Sequence, residues 1–172
     1  FLVEDTAAWD EAIDYAIRKE DGEAYTFLGP SLETSTTIDL TDAAAYEWAV
    51  SKMEACADIG FDGWMADYGE WLPTDAELAK GDAETGHAAW PVLWQQASAE
   101  ALDGRDATFF ARAGWSGSPL FAPVHWPGDQ RTSFDEDDGL PSVVPLTLGG
   151  SIAGVPFSGS DIAGYQSVGN DP

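Results

Sequence analysis

The chain has 172 residues, 44% hydrophobic and 22% charged, a balance that describes one soluble globular unit rather than a disordered segment. Thirty-one acidic residues against seven basic ones leave a net charge of −24, which makes nucleic acid and anionic membrane surfaces poor partners. No run of ~18 apolar residues exists to span a bilayer; a lone cysteine excludes an internal disulfide, and two histidines without cysteine pairs argue against zinc.

No basic-then-apolar leader is visible, which favours a cytoplasmic location. Because the chain opens on Phe1-Leu2-Val3 without an initiator Met, it is expected to be a fragment or a processed product. The lysines are confined to Lys19, Lys52 and Lys80, so self-repulsion weakens the compact state until salt screens it. A salt-adapted proteome is the expected source of this composition, with a locally acidic surface as the plainer alternative.

In chain order, apolar Trp9, Ile13, Ala16 and Ile17 recur at helical spacing from Thr6 to about Lys19, with Asp5 or Thr6 as N-cap. Residues 25 to 39, YTFLGPSLETSTTID, predict a loop with short extended pieces. A second helix is expected from about Asp42 to Asp58, with Tyr46, Val50, Met53 and Ala57 inward and Gly60 ending it. Cys56 falls at an apolar helical position and is expected to be a buried free thiol.

The stretch from Phe61 to Met65 then reads as a strand. A third helix lies near Trp90 to Leu102, with Pro91 tolerated in its first turn and Gly104 past its end. Trp9, Trp48, Trp90 and Trp94 fall on helix faces and are expected in the core. ATFFARAG and APVHW read as further strands, residues 138 to 153 as a helix with prolines near its start, and GVPFSGSD as a fourth strand. DEDDG, residues 135 to 139, lacks calcium-loop spacing and reads as a solvated turn. Short apolar strands alternating with helices predict buried parallel strands with crossover helices, an α/β architecture.

Chemistry-bearing residues gather just past these strands: Asp67, then Arg112, then Trp126 to Asp129, then Asp161 to Tyr165. In parallel α/β sheets this is the edge where sites are built. Carboxylates, an arginine and aromatics on one edge suit a polyhydroxylated substrate, because ring faces pack on sugars while Asp and Arg bind hydroxyls. Paired carboxylates fit glycoside hydrolysis.

DGWMADYGEWLPTD, RAGWSGS, HWPGDQ and SDIAGY occur in that order and together resemble glycoside hydrolase family 31, retaining α-glycosidases on a (β/α)8 TIM barrel. The resemblance covers nearly the whole chain. It implies that Asp67 is the nucleophile after the fourth barrel strand and Asp129, in WPGD, the general acid/base. It implies substrate binding by Arg112 after the fifth strand, an active-site wall at Trp126, and a turn after the seventh strand carrying Asp161 and Tyr165. Met65 and Tyr165 are divided between pocket lining and core, and Glu70 is expected to brace its loop rather than react. The chemistry implied needs no metal or organic cofactor. A nucleophilic carboxylate must stay ionised, which a nearby Arg favours; an acid/base carboxyl must start protonated, which a nearby negative charge favours. For retention the two carboxyl groups stand ~5–5.5 Å apart.

Within the family the chain is most similar to the sulfoquinovosidase-like branch, where Tyr165 matches a tyrosine that helps hold the sulfonate. It departs from the pattern after GDQ, and in having Ala163 where Gly is usual. Branches acting on glucosides, galactosides or xylosides stay open, as does a non-catalytic sugar-binding protein. A complete barrel takes ~200–250 residues, so the chain is expected to begin after strand three and end after strand seven of a larger enzyme. Alone, with unpaired sheet edges, it is expected to be inactive.

Overall fold

The computed structural model describes residues 1–167. Its first layer is a small antiparallel sheet in which β3 (Thr34–Thr36) lies between β1 (Leu2–Val3) and β2 (Phe27–Leu28). Helix α1 spans only Ala7–Ala12, capped by Thr6, whose Oγ1 accepts from the Trp9 N–H at 3.3 Å. The helix expected to reach Lys19 therefore stops early. A 3-10 turn over Ile13–Tyr15 follows, then the chain extends, Ala16 bridging Ile38 and the Ile17 N–H bonding the Thr37 carbonyl at 3.1 Å. Pairing along a neighbouring segment satisfied the backbone better there than another helical turn.

Helix α2 (Ala43–Asp58) begins where the Asp42 carboxylate accepts from the Ala45 N–H at 2.9 Å. It ends at Gly60, whose φ of 109° suits glycine alone. Its buried stripe is Ala45, Ala49, Val50 and Ala57. Cys56, expected to be buried, is exposed. Lys52 one turn before it and Ile59 almost one turn after are also exposed, so Cys56 lies on the solvent face and the alanines beside it gave a false apolar signal.

The second layer is a four-stranded parallel sheet in the order β4 (Gly63–Ala66), β5 (Thr108–Ala111), β6 (Val124–His125), β7 (Phe157–Ser158). The strand begins at Gly63 rather than Phe61. A Cβ at Gly63 would stand 1.6 Å from the Thr108 carbonyl oxygen, so only glycine lets β4 pair with β5.

The crossovers differ from strict alternation. Between β4 and β5 lie α3 (Ala83–Gly86), a 3-10 turn over His87–Ala89, and α4 (Trp90–Ala101) with Pro91 in its first turn. Between β5 and β6 there is only a 3-10 turn over Ser118–Leu120. Helix α5 (Leu140–Ile152) connects β6 to β7 and contains Pro145. DEDDG forms a turn before it, with Asp135 Oδ1 accepting from the Asp137 and Asp138 N–H groups.

Ala66, Leu102, Phe109, Ala111 and Ala122 make one core cluster between sheet and helices. Burying a side chain the size of Phe109 contributes about 1.5–3 kcal/mol. Trp64 joins β4 to α4 through Nε1 to Ser98 Oγ at 3.3 Å. Trp90 is buried in the larger cluster, with Trp9, Trp48 and Trp94 packed against it partly buried. Among the described residues no helix is long and apolar enough to cross a membrane.

Candidate active site at the strand ends

The parallel register aligns Ala66 with Ala111, Ala111 with His125, and His125 with Ser158. The residues that follow, Asp67, Arg112 and Trp126, therefore emerge side by side from the carboxyl edge of the sheet. Side chains alternate across a strand, so Met65 and Asp67 share one face while Trp64 and Ala66 turn to the helices. Met65 is 49% exposed on that face, so the core reading of this residue is set aside.

Arg112 organises the edge. Its Nη2 lies 3.1 Å from Asp67 Oδ1, with the two side chains 22% and 15% exposed. Nε donates to Glu70 Oε1 at 2.9 Å, and Nη2 donates to the same oxygen. The guanidinium carbon stands 5.1 Å from the Tyr68 ring centre and 5.9 Å from that of Trp126. Trp126 is buried and meets Phe110 edge to face at 5.2 Å.

Local backbone makes this possible. Tyr68 has a φ of 57°, a left-handed conformation that costs a non-glycine residue about 1–2 kcal/mol. The Tyr68 N–H bonds Asp67 Oδ1 at 2.8 Å, and the Trp71 N–H returns to the Tyr68 carbonyl at 3.1 Å. This turn brings Glu70 back over the end of β5. Sequence reasoning assigned Glu70 to its own loop and missed its pairing with Arg112; the Asp-x-x-Glu spacing ahead of an arginine at the next strand end was the available signal.

Burial pushes the Asp67 carboxyl above its ordinary range. The Tyr68 N–H and the Arg112 guanidinium pull it back in part, whereas the charges of Glu70 and Asp129 add to the rise. The expectation that Arg112 lowers Asp67 thus holds for the pair, but burial outweighs it. Asp129 is close enough for its charge to be felt at Asp67. It follows Gly128, whose φ is 97° and whose added Cβ would sit 3.4 Å from Arg112 Cδ, so the loop that carries Asp129 lies directly on Arg112.

The turn after β7 is joined to that loop. The Gln130 carbonyl accepts from the Tyr165 and Gln166 N–H groups at 2.8 and 3.1 Å, and the Thr132 N–H bonds the Gln166 carbonyl at 2.9 Å. Gly164, at φ 90°, lies so near that a Cβ would be 2.7 Å from the Arg131 carbonyl oxygen. Ala163 adopts φ 68°, which explains why glycine is the expected residue there. Tyr165 itself is 67% exposed. Asp161 is half-buried at the start of the turn.

Two hollows adjoin the edge. One, of about 750 Å³, is lined by Arg112, Trp115, His125, Trp126 and Leu146 among others. Asp67 lines a separate cleft of about 60 Å³ with Tyr68, Gly69, Trp90 and Trp94. Hollow volume therefore does not locate the carboxylates; the row of strand ends does. No group of three or more metal-binding side chains occurs among the described residues.

A family model described as the glycosyl hydrolases family 31 TIM-barrel domain matches residues 3–172. The chain is 39% identical over 138 residues to a sulfoquinovosidase of Agrobacterium fabrum, covering 76% of this chain and 21% of that protein. It is 37% identical over 175 residues to the sulfoquinovosidase of Escherichia coli strain K12, covering 98% of this chain and 26% of that one. A family 31 sulfoquinovosidase from E. rectale, solved with an aza-sugar inhibitor, superimposes with a TM-score of 0.92 at 36% identity over 99% of this chain and 27% of its own. The chain thus spans about a fifth to a quarter of the length of the relatives it matches. It belongs to glycosyl hydrolases family 31, and its four parallel strands are part of that family's (β/α)8 TIM barrel.

Proposed function

We propose that this domain carries the two catalytic carboxylates of a retaining α-glycoside hydrolase that acts on α-sulfoquinovosides. The observation that carries the reading is the Asp67–Arg112 pair at 3.1 Å on the carboxyl edge of a parallel sheet, with Asp129 within electrostatic reach. Asp67 attacks the anomeric carbon and forms a glycosyl ester while Asp129 gives its proton to the departing oxygen. Asp129 then takes a proton from water, whose oxygen displaces Asp67 and releases the sugar. In this mechanism Asp129 carries the proton for the first step, while Asp67 and Glu70 both lie against the Arg112 guanidinium. Arg112 supports the ionised state of Asp67, and Trp126 and Met65 form walls.

The sulfosugar is proposed from the two relatives named sulfoquinovosidase at 39% and 37% identity. Tyr165 then reaches the sulfonate, and Asp161 sets the turn that presents it. The composition, with its net charge of −24, fits an enzyme that works in high salt. The test uses the full-length protein, comparing hydrolysis of aryl α-sulfoquinovoside with aryl α-glucoside. Preference for the sulfosugar is expected. Preference for the glucoside overturns the substrate, and sugar binding without turnover of either points to a non-catalytic carbohydrate-binding protein.

A further inference from the structure

We infer that Glu70 is a positioning residue for the proposed reaction: it fixes the Arg112 guanidinium against Asp67 and leaves the Nη1 edge of Arg112 for the bound sugar. The inference rests on the reading of Asp67 as the nucleophile. An arginine side chain has many rotamers, and a planar fork becomes useful only when something fixes its plane. Glu70 Oε1 takes both Nε and Nη2, which defines that plane. The rings of Tyr68 and Trp126 stand 5.1 and 5.9 Å from the guanidinium carbon and restrain it further. Nη2 is thereby shared between Glu70 and Asp67, while Nη1 makes no hydrogen bond among the described residues.

Two further observations separate this arrangement from an incidental surface pair. The Glu70 side chain is 33% exposed, but its second oxygen, Oε2, is buried with no partner among the described residues. Arg112 is therefore the cation that Glu70 serves. The left-handed Tyr68 is also the step that turns Glu70 back toward β5, and such backbone strain persists where the surroundings enforce it and clusters at functional sites. A carboxylate that only braced its own loop would have no need to reach the end of the neighbouring strand.

The groups facing Asp67 are the Tyr68 N–H, Arg112, Glu70 and Asp129. Removing the Glu70 charge takes away one influence that raises the Asp67 carboxyl, so the acid limb of the pH profile should move to lower pH. Losing the anchor should also cost orientation. The experiment is steady-state kinetics of the full-length protein and its Glu70→Ala and Glu70→Gln variants on aryl α-sulfoquinovoside across pH, with melting midpoints to establish folding. Glu70→Ala is expected to lower kcat/KM roughly tenfold to a hundredfold. Glu70→Gln, whose amide oxygen still accepts from Arg112, is expected to recover part of that loss, with the acid limb lowered in this variant because the charge is lost while the anchor stays. An unmoved acid limb in Glu70→Gln, or no recovery of rate in Glu70→Gln over Glu70→Ala, overturns the proposal, as does wild-type turnover by Glu70→Ala. A wild-type protein that hydrolyses no α-glycoside overturns the glycosidase reading itself, and this proposal with it.

Discussion

Arg112 Nη2 lies 3.1 Å from Asp67 Oδ1 because β4 and β5 pair in parallel with Ala66 opposite Ala111. The next residue on each strand must then emerge beside its neighbour. This contact offsets part of the cost of holding a carboxylate where little water reaches it.

Replacing Arg112 should therefore move the acid limb of kcat/KM in the direction opposite to Glu70→Gln. Arg112 lowers the Asp67 carboxyl; without it the group rises further, and the ionised Asp67 that the proposed mechanism needs is available only at higher pH. Arg112→Met in the full-length protein is expected to shift the limb upward and to lower kcat/KM at neutral pH by at least about tenfold. An unmoved limb would show that the two side chains do not interact in solution.

Asp67 should also cost stability. Its carboxyl is raised on folding, so the folded state binds its proton more tightly than the unfolded chain does. The penalty is absent below the unfolded carboxylate range and complete above the folded value. Asp67→Asn is expected to raise the melting midpoint at pH 7, with the gain disappearing as acid protonates the wild type. A lower midpoint at pH 7 would mean that the Arg112 pairing outweighs burial.

The turn after β7 makes a paired prediction. Ala163, at φ 68°, carries a strain of about 1–2 kcal/mol, part of which Ala163→Gly should relieve. Gly164→Ala should do the reverse, because its Cβ would meet the Arg131 carbonyl at 2.7 Å. That substitution is expected to raise KM for a sulfosugar by moving Tyr165. Melting curves and KM values for the two variants check this, and equal midpoints would contradict it.

Salt should stabilise the protein. With a net charge of −24, repulsion is screened as the Debye length falls from about 10 Å at 0.1 M to about 3 Å at 1 M. A melting midpoint that rises steadily over that range is expected. A flat response would remove the salt-adaptation reading.

What the sequence made legible follows from where its signals were local. The four strand ends stood out because apolar runs break into Asp67, Arg112, Trp126 and the Asp161 turn, and the parallel register sets the first three side by side. Helix α1 was read too long because Ile17 satisfies helical spacing, yet its N–H is taken by Thr37. The antiparallel sheet was invisible as a sheet, since its strands run only two or three residues and show no periodicity. The Glu70–Arg112 pairing was hidden for another reason: its partners are 42 residues apart, and it depends on the left-handed turn at Tyr68.

The most direct test of the central claim is covalent capture of the nucleophile. The full-length protein would be treated with a slow fluorinated α-glycosyl donor, preferably of sulfoquinovose, then digested and mapped by mass spectrometry. The glycosyl adduct is expected on Asp67, and it should disappear in Asp67→Asn. An adduct on another carboxylate, or sugar binding with no adduct at all, would contradict the account.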